Sequence, residues 1–277
     1  MKLVTLGTGS PLPDPNRAGP ATLVRVAGRD FLFDCGRGVL MRLAASWTGP
    51  VQIERVLLTH LHSDHVTDFN DLVTMRWVMS PVENPLPVSG PPGTAAFVDR
   101  TLAMLSDDIG YRLAHHDDLN WRPACSVTEV STEVDDGVVL DDGVVRIWAA
   151  PTDHAPVQPT VGYRVEAEGR SIVIAGDTVQ CEGLDRLCRG ADVYVQTTLR
   201  RSLIEAIPAP RLQDILGYHS SISDAAATAA RAGVGTLVMT HLIPAPAPST
   251  EAEWIAEAQA IFTGEVILAT DLWEREL

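Results

Sequence analysis

The sequence predicts an α/β fold: two mixed sheets packed face to face, helices outside, built from two related halves. Three observations predict it. Apolar runs of strand length alternate with helical patterns and glycine turns across all 277 residues. A hairpin signal followed by an aspartate occurs twice: residues 22–26 and 30–34 around Ala27-Gly28-Arg29 deliver Asp34, and residues 161–166 and 171–175 around Ala167-Glu168-Gly169-Arg170 deliver Asp177. An apolar run ending in Thr-His also occurs twice, at Thr59-His60 and Thr240-His241. The common order in both parts predicts one domain over 1–277, with halves of about 1–145 and 146–277.

The elements follow in chain order. Residues 1–9 read as a short strand entering a glycine turn, without the apolar stretch of a signal peptide. Residues 68–79 carry Phe69, Leu72, Val73 and Trp77 at helical spacing. Residues 80–92 are proline-rich and start as a loop, and 106–123 form a candidate lid. The acidic segment 134–143 holds two Asp-Asp-Gly units, which read as hairpin turns. Ser223 is the expected N-cap of a helix over 224–231 stopped by Gly233. Thr250 and Glu253 fit a capping box for a helix ending near Gly264.

The bulk properties exclude several classes. No apolar run reaches the roughly 20 residues of a membrane span. The cysteines at 35, 125, 181 and 188 lack paired spacing, which disfavours a disulfide framework and points to the cytoplasm. The formal net charge is −15 and Lys2 is the only lysine, a balance that disfavours a large nucleic-acid footprint. A small anionic ester remains compatible, because bound cations would supply the local positive charge.

The chemistry concentrates in Thr59-His60-Leu61-His62-Ser63-Asp64-His65. Three imidazoles and a carboxylate at the end of an apolar run form a donor set for a divalent metal. His60 and His62 point the same way in an extended segment, whereas Asp64 and His65 follow a turn and can face a second ion. His154, Asp177 and His241 complete the candidate ligands, and Asp177 has two oxygens with which to bridge. His219 lies just before a helix start, where it can stabilise an anionic group or protonate a leaving oxygen.

These residues resemble the metallo-β-lactamase superfamily: Asp34 in Phe33-Asp34-Cys35-Gly36, the HxHxDH run, His154, Asp177 and His241 occur in its order. The resemblance implies an αββα four-layer sandwich holding two zinc ions, with manganese or iron as substitutes. One ion would take His60, His62 and His154, the other Asp64, His65 and His241, with Asp177 bridging and Asp34 orienting the ligands from behind. Asp64 would also accept a proton from the attacking water, which the metals activate toward a phosphodiester. A homodimer is implied as well.

Within the superfamily, His219-Ser220-Ser221 resembles the His-Ser-Thr segment of ribonuclease Z. That branch carries Glu-Ala-Thr behind its catalytic histidine, where this chain has Gln196-Thr197-Thr198. Many members also carry a transfer-RNA-gripping arm, for which the stretch from Tyr163 to Asp177 has no room. Arg17-Ala18-Gly19-Pro20 and the run from Asp34 to Val39 look more like an arylsulfatase-type branch. The expectation is therefore a phosphodiesterase-type hydrolase. The alternatives are an arylsulfatase, lactonase or other small-ester hydrolase, a tRNA 3′-processing endoribonuclease, and a non-catalytic metal-binding scaffold. His115-His116 reads as a solvated helix end, Trp77, Tyr111 and Trp121 as packing residues or a substrate wall, and Cys35 and Cys181 as buried thiols.

Overall fold

The computed structural model describes residues 1–132 and 137–277. Fourteen strands run β1 (Lys2–Gly7), β2 (Ala21–Val26), β3 (Arg29–Phe33), β4 (Ile53–Leu57), β5 (Leu86–Gly90), β6 (Cys125–Glu129), β7 (Gly137–Asp141), β8 (Arg146–Pro151), β9 (Val161–Ala167), β10 (Arg170–Ile174), β11 (Val193–Leu199), β12 (Thr236–Ile243), β13 (Glu265–Leu268) and β14 (Trp273–Glu276) among the described residues. They form two sheets, ordered β14-β1-β2-β3-β4-β5-β6 and β13-β12-β11-β10-β9-β8-β7.

The two sheets repeat one plan. From β14 to β3 the neighbours are antiparallel, and from β3 to β6 they are parallel. From β7 to β10 they are antiparallel, and from β10 to β13 parallel. Both predicted hairpins are present, each closed by a two-residue turn with positive φ at both positions: Ala27 at 52° and Gly28 at 73°, Glu168 at 55° and Gly169 at 71°. That geometry matches the twist of the flanking strands.

Alternation along each strand divides the core into layers. Phe31 and Phe33 of β3 face between the sheets with Tyr163, Ile172 and Ile174, whereas Leu32 faces outward with Val39, Leu43, Phe69 and Leu72. On the other sheet, Val173 turns out against Leu184, Ala225, Ala229 and Trp254. This is the four-layer αββα sandwich. Phe33 and Tyr163 meet edge to face, ring centroids 5.6 Å apart. Truncating either ring would cost about 3–5 kcal/mol.

Several boundaries differ from expectation. The second sheet begins at Gly137, ahead of the expected junction near 145, and β14 returns to the edge of the first sheet beside β1. The Thr-His pairs sit on non-equivalent strands: His60 follows β4, whose counterpart in the repeated plan is β11, while His241 lies inside β12. The helix expected from Asp224 is Ile222–Ala232, capped by Ser221, whose hydroxyl accepts from the Asp224 backbone N–H while the Asp224 carboxylate accepts in return. Ser223 is inside that helix. Thr250 makes no cap bond; its hydroxyl donates to the Ala247 carbonyl, and its helix ends at Gln259. A strand, β5, forms within the proline-rich stretch. Asp141-Asp142-Gly143 makes the β7–β8 turn, with Asp142 Oδ1 accepting from the Val144 and Val145 N–H groups. The Asp135-Asp136 part of the other Asp-Asp-Gly unit lies outside the described residues.

Candidate metal centre

The site lies where strand ends from both sheets meet. Asp34 follows β3 with φ 59°, a left-handed conformation that aspartate tolerates. Its backbone N–H bonds the Leu57 carbonyl, tying it to the end of β4. The chain then runs through His60 and His62 into a short helix, Ser63–Val66. Cys35 N–H bonds the His65 carbonyl at 2.7 Å, so the Asp34 and His65 segments are stitched together. Only glycine fits at 36, where a Cβ would stand 2.4 Å from the Asp64 carbonyl oxygen. The second sheet reaches across: Tyr163 donates to the Leu58 carbonyl at 2.7 Å and Val161 N–H to the Thr59 carbonyl at 2.9 Å. His241 sits in β12 with φ 45°, a strained value for a histidine and a feature found at functional sites.

The expected donors converge. One group comprises His60, His62, His154 and Asp177, and a second Asp64, His65 and His241; within each, one donor atom per residue lies within 4.8 Å of the others. Asp177 Oδ2 stands between them, 3.9 Å from Nε2 of both His60 and His154, 3.4 Å from His65 Nε2 and 3.5 Å from His241 Nε2. Asp64 Oδ2 is 3.1 Å from His241 Nε2. All seven residues are buried except His62, which is half-buried.

Tautomers show what the cluster is arranged to hold. His154 Nδ1 donates to the Tyr218 carbonyl at 2.7 Å. His65 Nδ1 donates to Asp34 Oδ2 at 2.8 Å. The Thr59 hydroxyl donates to Asp34 Oδ2 at 2.9 Å and so accepts from His60 Nδ1 at 3.0 Å. Each bond places a proton on Nδ1 and leaves the Nε2 lone pair pointing inward. His65 Nε2 is buried with no hydrogen-bond partner. Nε2 of His60 and of His154 lie 3.1 and 3.3 Å from His62 Nδ1, and inward nitrogens clustered around buried carboxylates fit a divalent cation.

The electrostatics agree. Burial holds His60 well below the usual imidazole range and His154 down at about 4, keeping both neutral as donors. Burial acts downward on His65 and His241 and is the largest single influence on each, but the neighbouring carboxylates together exceed it, Asp177 and Asp34 at His65 and Asp177 and Asp64 at His241, and both are raised. Asp177 is pushed up by burial and down, decisively, by His241, His65 and His219. A divalent cation held by these residues would compete with protons for the same donor atoms.

His219 joins the cluster from the segment before the Ser221-capped helix. Its Nε2 is 3.2 Å from Asp177 Oδ2, and Nδ1 is 3.2 Å from the Ile215 carbonyl. The segment is pinned by Ser220, whose N–H and hydroxyl both bond the Thr178 carbonyl, at 3.0 and 2.8 Å. Gln196 does not reach His219. It accepts from the Tyr194 hydroxyl at 2.5 Å and donates to the Thr197 carbonyl at 2.8 Å and the Gly176 carbonyl at 3.4 Å. Its side chain turns into the helix-facing layer with Tyr194, because alternate residues of β11 face opposite ways. The next residue does the supporting: Thr197 Oγ1 donates to Asp177 Oδ1 at 2.7 Å. Thr59, just past the end of β4, and Thr197, within the equivalent strand β11, thus hold Asp34 and Asp177. The adjacency of each threonine to an already suspect residue was the signal available in the sequence.

The other expected residues stay apart. The helix Ser106–His115 leads into His116, with His115 and His116 both exposed, and Trp77 Nε1 donates to the Trp121 carbonyl at 2.9 Å. Trp77 is core and Tyr111 is exposed, so with Trp121 they form no common wall. Among the described residues, no hydrogen bond or ring contact joins 106–123 to the histidine cluster. Cys35 is buried, whereas Cys181 is only half-buried.

An αββα sandwich carrying this donor set at its strand ends defines a metal-dependent hydrolase, and a model described as the beta-lactamase superfamily domain matches residues 29–242. Ribonuclease Z of Mycolicibacterium paratuberculosis is 56% identical over 274 residues, covering 98% of this chain and 96% of its own. Ribonuclease Z of Mycobacterium tuberculosis is 49% identical over 279 residues, covering 100% and 98%. The solved structure of human tRNase Z, short form, superposes with a TM-score of 0.75 at 25% identity, over 100% of this chain and 99% of that one. The metallo-β-lactamase fold protein YhfI of Bacillus subtilis has the same TM-score at 20% identity, a likeness of fold alone, covering 99% and 98%. The chain belongs to the ribonuclease Z family of the β-lactamase superfamily.

Proposed function

We propose that the protein is a phosphodiesterase-type hydrolase of ribonuclease Z kind, working on RNA through two metal ions, zinc by donor chemistry. The observation that carries this reading is the seven-donor cluster with Asp177 Oδ2 between its two groups. His60, His62 and His154 would hold one ion, and Asp64, His65 and His241 the other. Bound divalent ions supply an acidified water as nucleophile and neutralise charge on the attacked phosphate. Asp34 and Thr59 fix ring orientation. Asp64 would take the water's proton. His219, with an acceptor near each ring nitrogen, would protonate the leaving oxygen. The test is turnover of precursor tRNA and bis(p-nitrophenyl) phosphate by the metal-loaded protein, with His62→Ala as the inactive control.

A second reading is a small anionic ester, such as an aryl sulfate or lactone. It is favoured by the two-residue turn joining β9 to β10, which leaves no arm between Tyr163 and Asp177, and by the net charge of −15. A side-by-side substrate panel separates the two. We propose a homodimer in which the exposed apolar face of Met41, Trp47 and Met79 meets its copy. Trp47, 92% exposed, lines a groove of about 420 Å³ together with Leu40, Met41, Met75 and Met79, one apolar surface that a two-fold contact would cover with its own copy. No helix among the described residues is long and apolar enough to cross a membrane, and four free cysteines favour the cytoplasm.

A further inference from the structure

The histidines of the cluster differ in how their outer nitrogens are held. His60, His65, His154 and His219 each bond a protein atom through Nδ1. His241 Nδ1 is buried and meets no hydrogen-bond partner, and neither does the hydroxyl of its neighbour Thr240. Both residues line one internal cavity of about 20 Å³ between the sheets, which Thr197 and Val195 also line. A space of this size accommodates one water, provided two to four polar groups receive it.

We propose that a water fills this cavity and that Thr240 is a positioning residue, holding His241 through it. The inference rests on the metal reading above. Nε2 of His241 faces the donor cluster, 3.1 Å from Asp64 Oδ2, and with a metal held at Nε2 the His241 proton would sit on Nδ1 and need an acceptor. The water accepts it. One water hydrogen goes to the Thr240 oxygen. The other goes to Thr197, whose own hydroxyl hydrogen is committed to Asp177 Oδ1 at 2.7 Å, so that its oxygen can only accept here. His241 is thereby coupled to the carboxylate that stands between the two groups. The contrast with Thr59-His60 is direct: there the threonine touches the imidazole, whereas at Thr240-His241 a cavity intervenes. His241 also has the left-handed φ of 45°, so its ring depends on such an anchor more than a relaxed residue would.

The experiment compares wild type with Thr240→Val, Thr240→Ser and Val195→Ile. Zinc affinity is read by competition with a chromogenic chelator, and the wild-type cavity by high-resolution crystallography. The expected results are a density peak about 3 Å from both His241 Nδ1 and Thr240 Oγ1, and a loss of affinity for the weaker zinc of about 10–100-fold in Thr240→Val. Thr240→Ser should retain wild-type affinity. Val195→Ile, which fills the space and keeps the hydroxyl, should lose affinity as Thr240→Val does, and decides the matter if that variant fails to fold. A dry cavity, unchanged affinity in both filled or hydroxyl-free variants, or a Ser variant as weak as Val would overturn the proposal. Wild type that binds no zinc would instead overturn the metal reading.

Discussion

His219 Nε2 lies 3.2 Å from Asp177 Oδ2, and that one oxygen also lies within 3.9 Å of His60, His65, His154 and His241. Five imidazoles from four segments therefore focus on a single carboxylate. Four of these rings belong to the two donor groups, and the fifth, His219, stands beside them outside both.

His219→Ala should lower kcat on a phosphodiester by about 100-fold or more, the usual scale for a lost general acid. Bound metal should stay at the wild-type level, because His219 is outside both donor groups. Steady-state kinetics with parallel metal analysis check this; unchanged kcat would return His219 to an ordinary loop role.

Purified protein should carry close to two zinc-type ions per chain. Prolonged chelation should abolish activity, and added zinc restore it. His62→Ala should lose turnover even at saturating substrate. Elemental analysis after desalting is the measurement, and a metal-free yet active protein would contradict it.

Asp34→Asn should weaken metal binding about 10–100-fold while the fold persists. Every partner of the Asp34 carboxylate is a donor: the Thr59 N–H at 2.8 Å, the Thr59 hydroxyl and His65 Nδ1. An amide N–H₂ turned toward any of them leaves two donors opposed. Chelator competition reads the loss.

Thiol chemistry should depend steeply on pH. Burial pushes the Cys125 thiol up to about 12, and burial with nearby carboxylates raises Cys35 and Cys188 as well. A raised pKa leaves the unreactive thiol in place at pH 8, so alkylation of these three in the folded protein should be slow and should quicken as pH rises. Mass spectrometry after iodoacetamide, with and without denaturant, shows the difference.

Trp47→Asp should shift the protein to a monomer in light scattering without changing its unfolding midpoint by more than a few degrees. The side chain is 92% exposed, so the fold gains little from it.

Much of the site was legible because its signals are local. HxHxDH packs donors into one loop, and a hairpin followed by aspartate is a short pattern that the β2–β3 and β9–β10 turns reproduce. Ser221 was missed as a cap in favour of Ser223, since both precede an alanine-rich run and only the reciprocal bonds with Asp224 separate them. Gln196 was singled out from its position in a motif, yet strand alternation turns it away and gives Asp177 to Thr197.

From the sequence alone came the two-sheet sandwich, the halves, the candidate ligands and the choice of a metal. Hydrophobic period, turn chemistry and donor type are properties of neighbouring residues, so the linear order contains them. Tertiary structure decided that β14 crosses back to β1, that the two Thr-His pairs occupy non-equivalent strands, and that a threonine stands behind each aspartate. Those facts depend on which strands pair side by side within each sheet, and that is set by contacts between segments separated along the chain: Thr59 lies 25 residues from Asp34, Thr197 lies 20 from Asp177, and β14 pairs with the strand at the opposite end of the sequence.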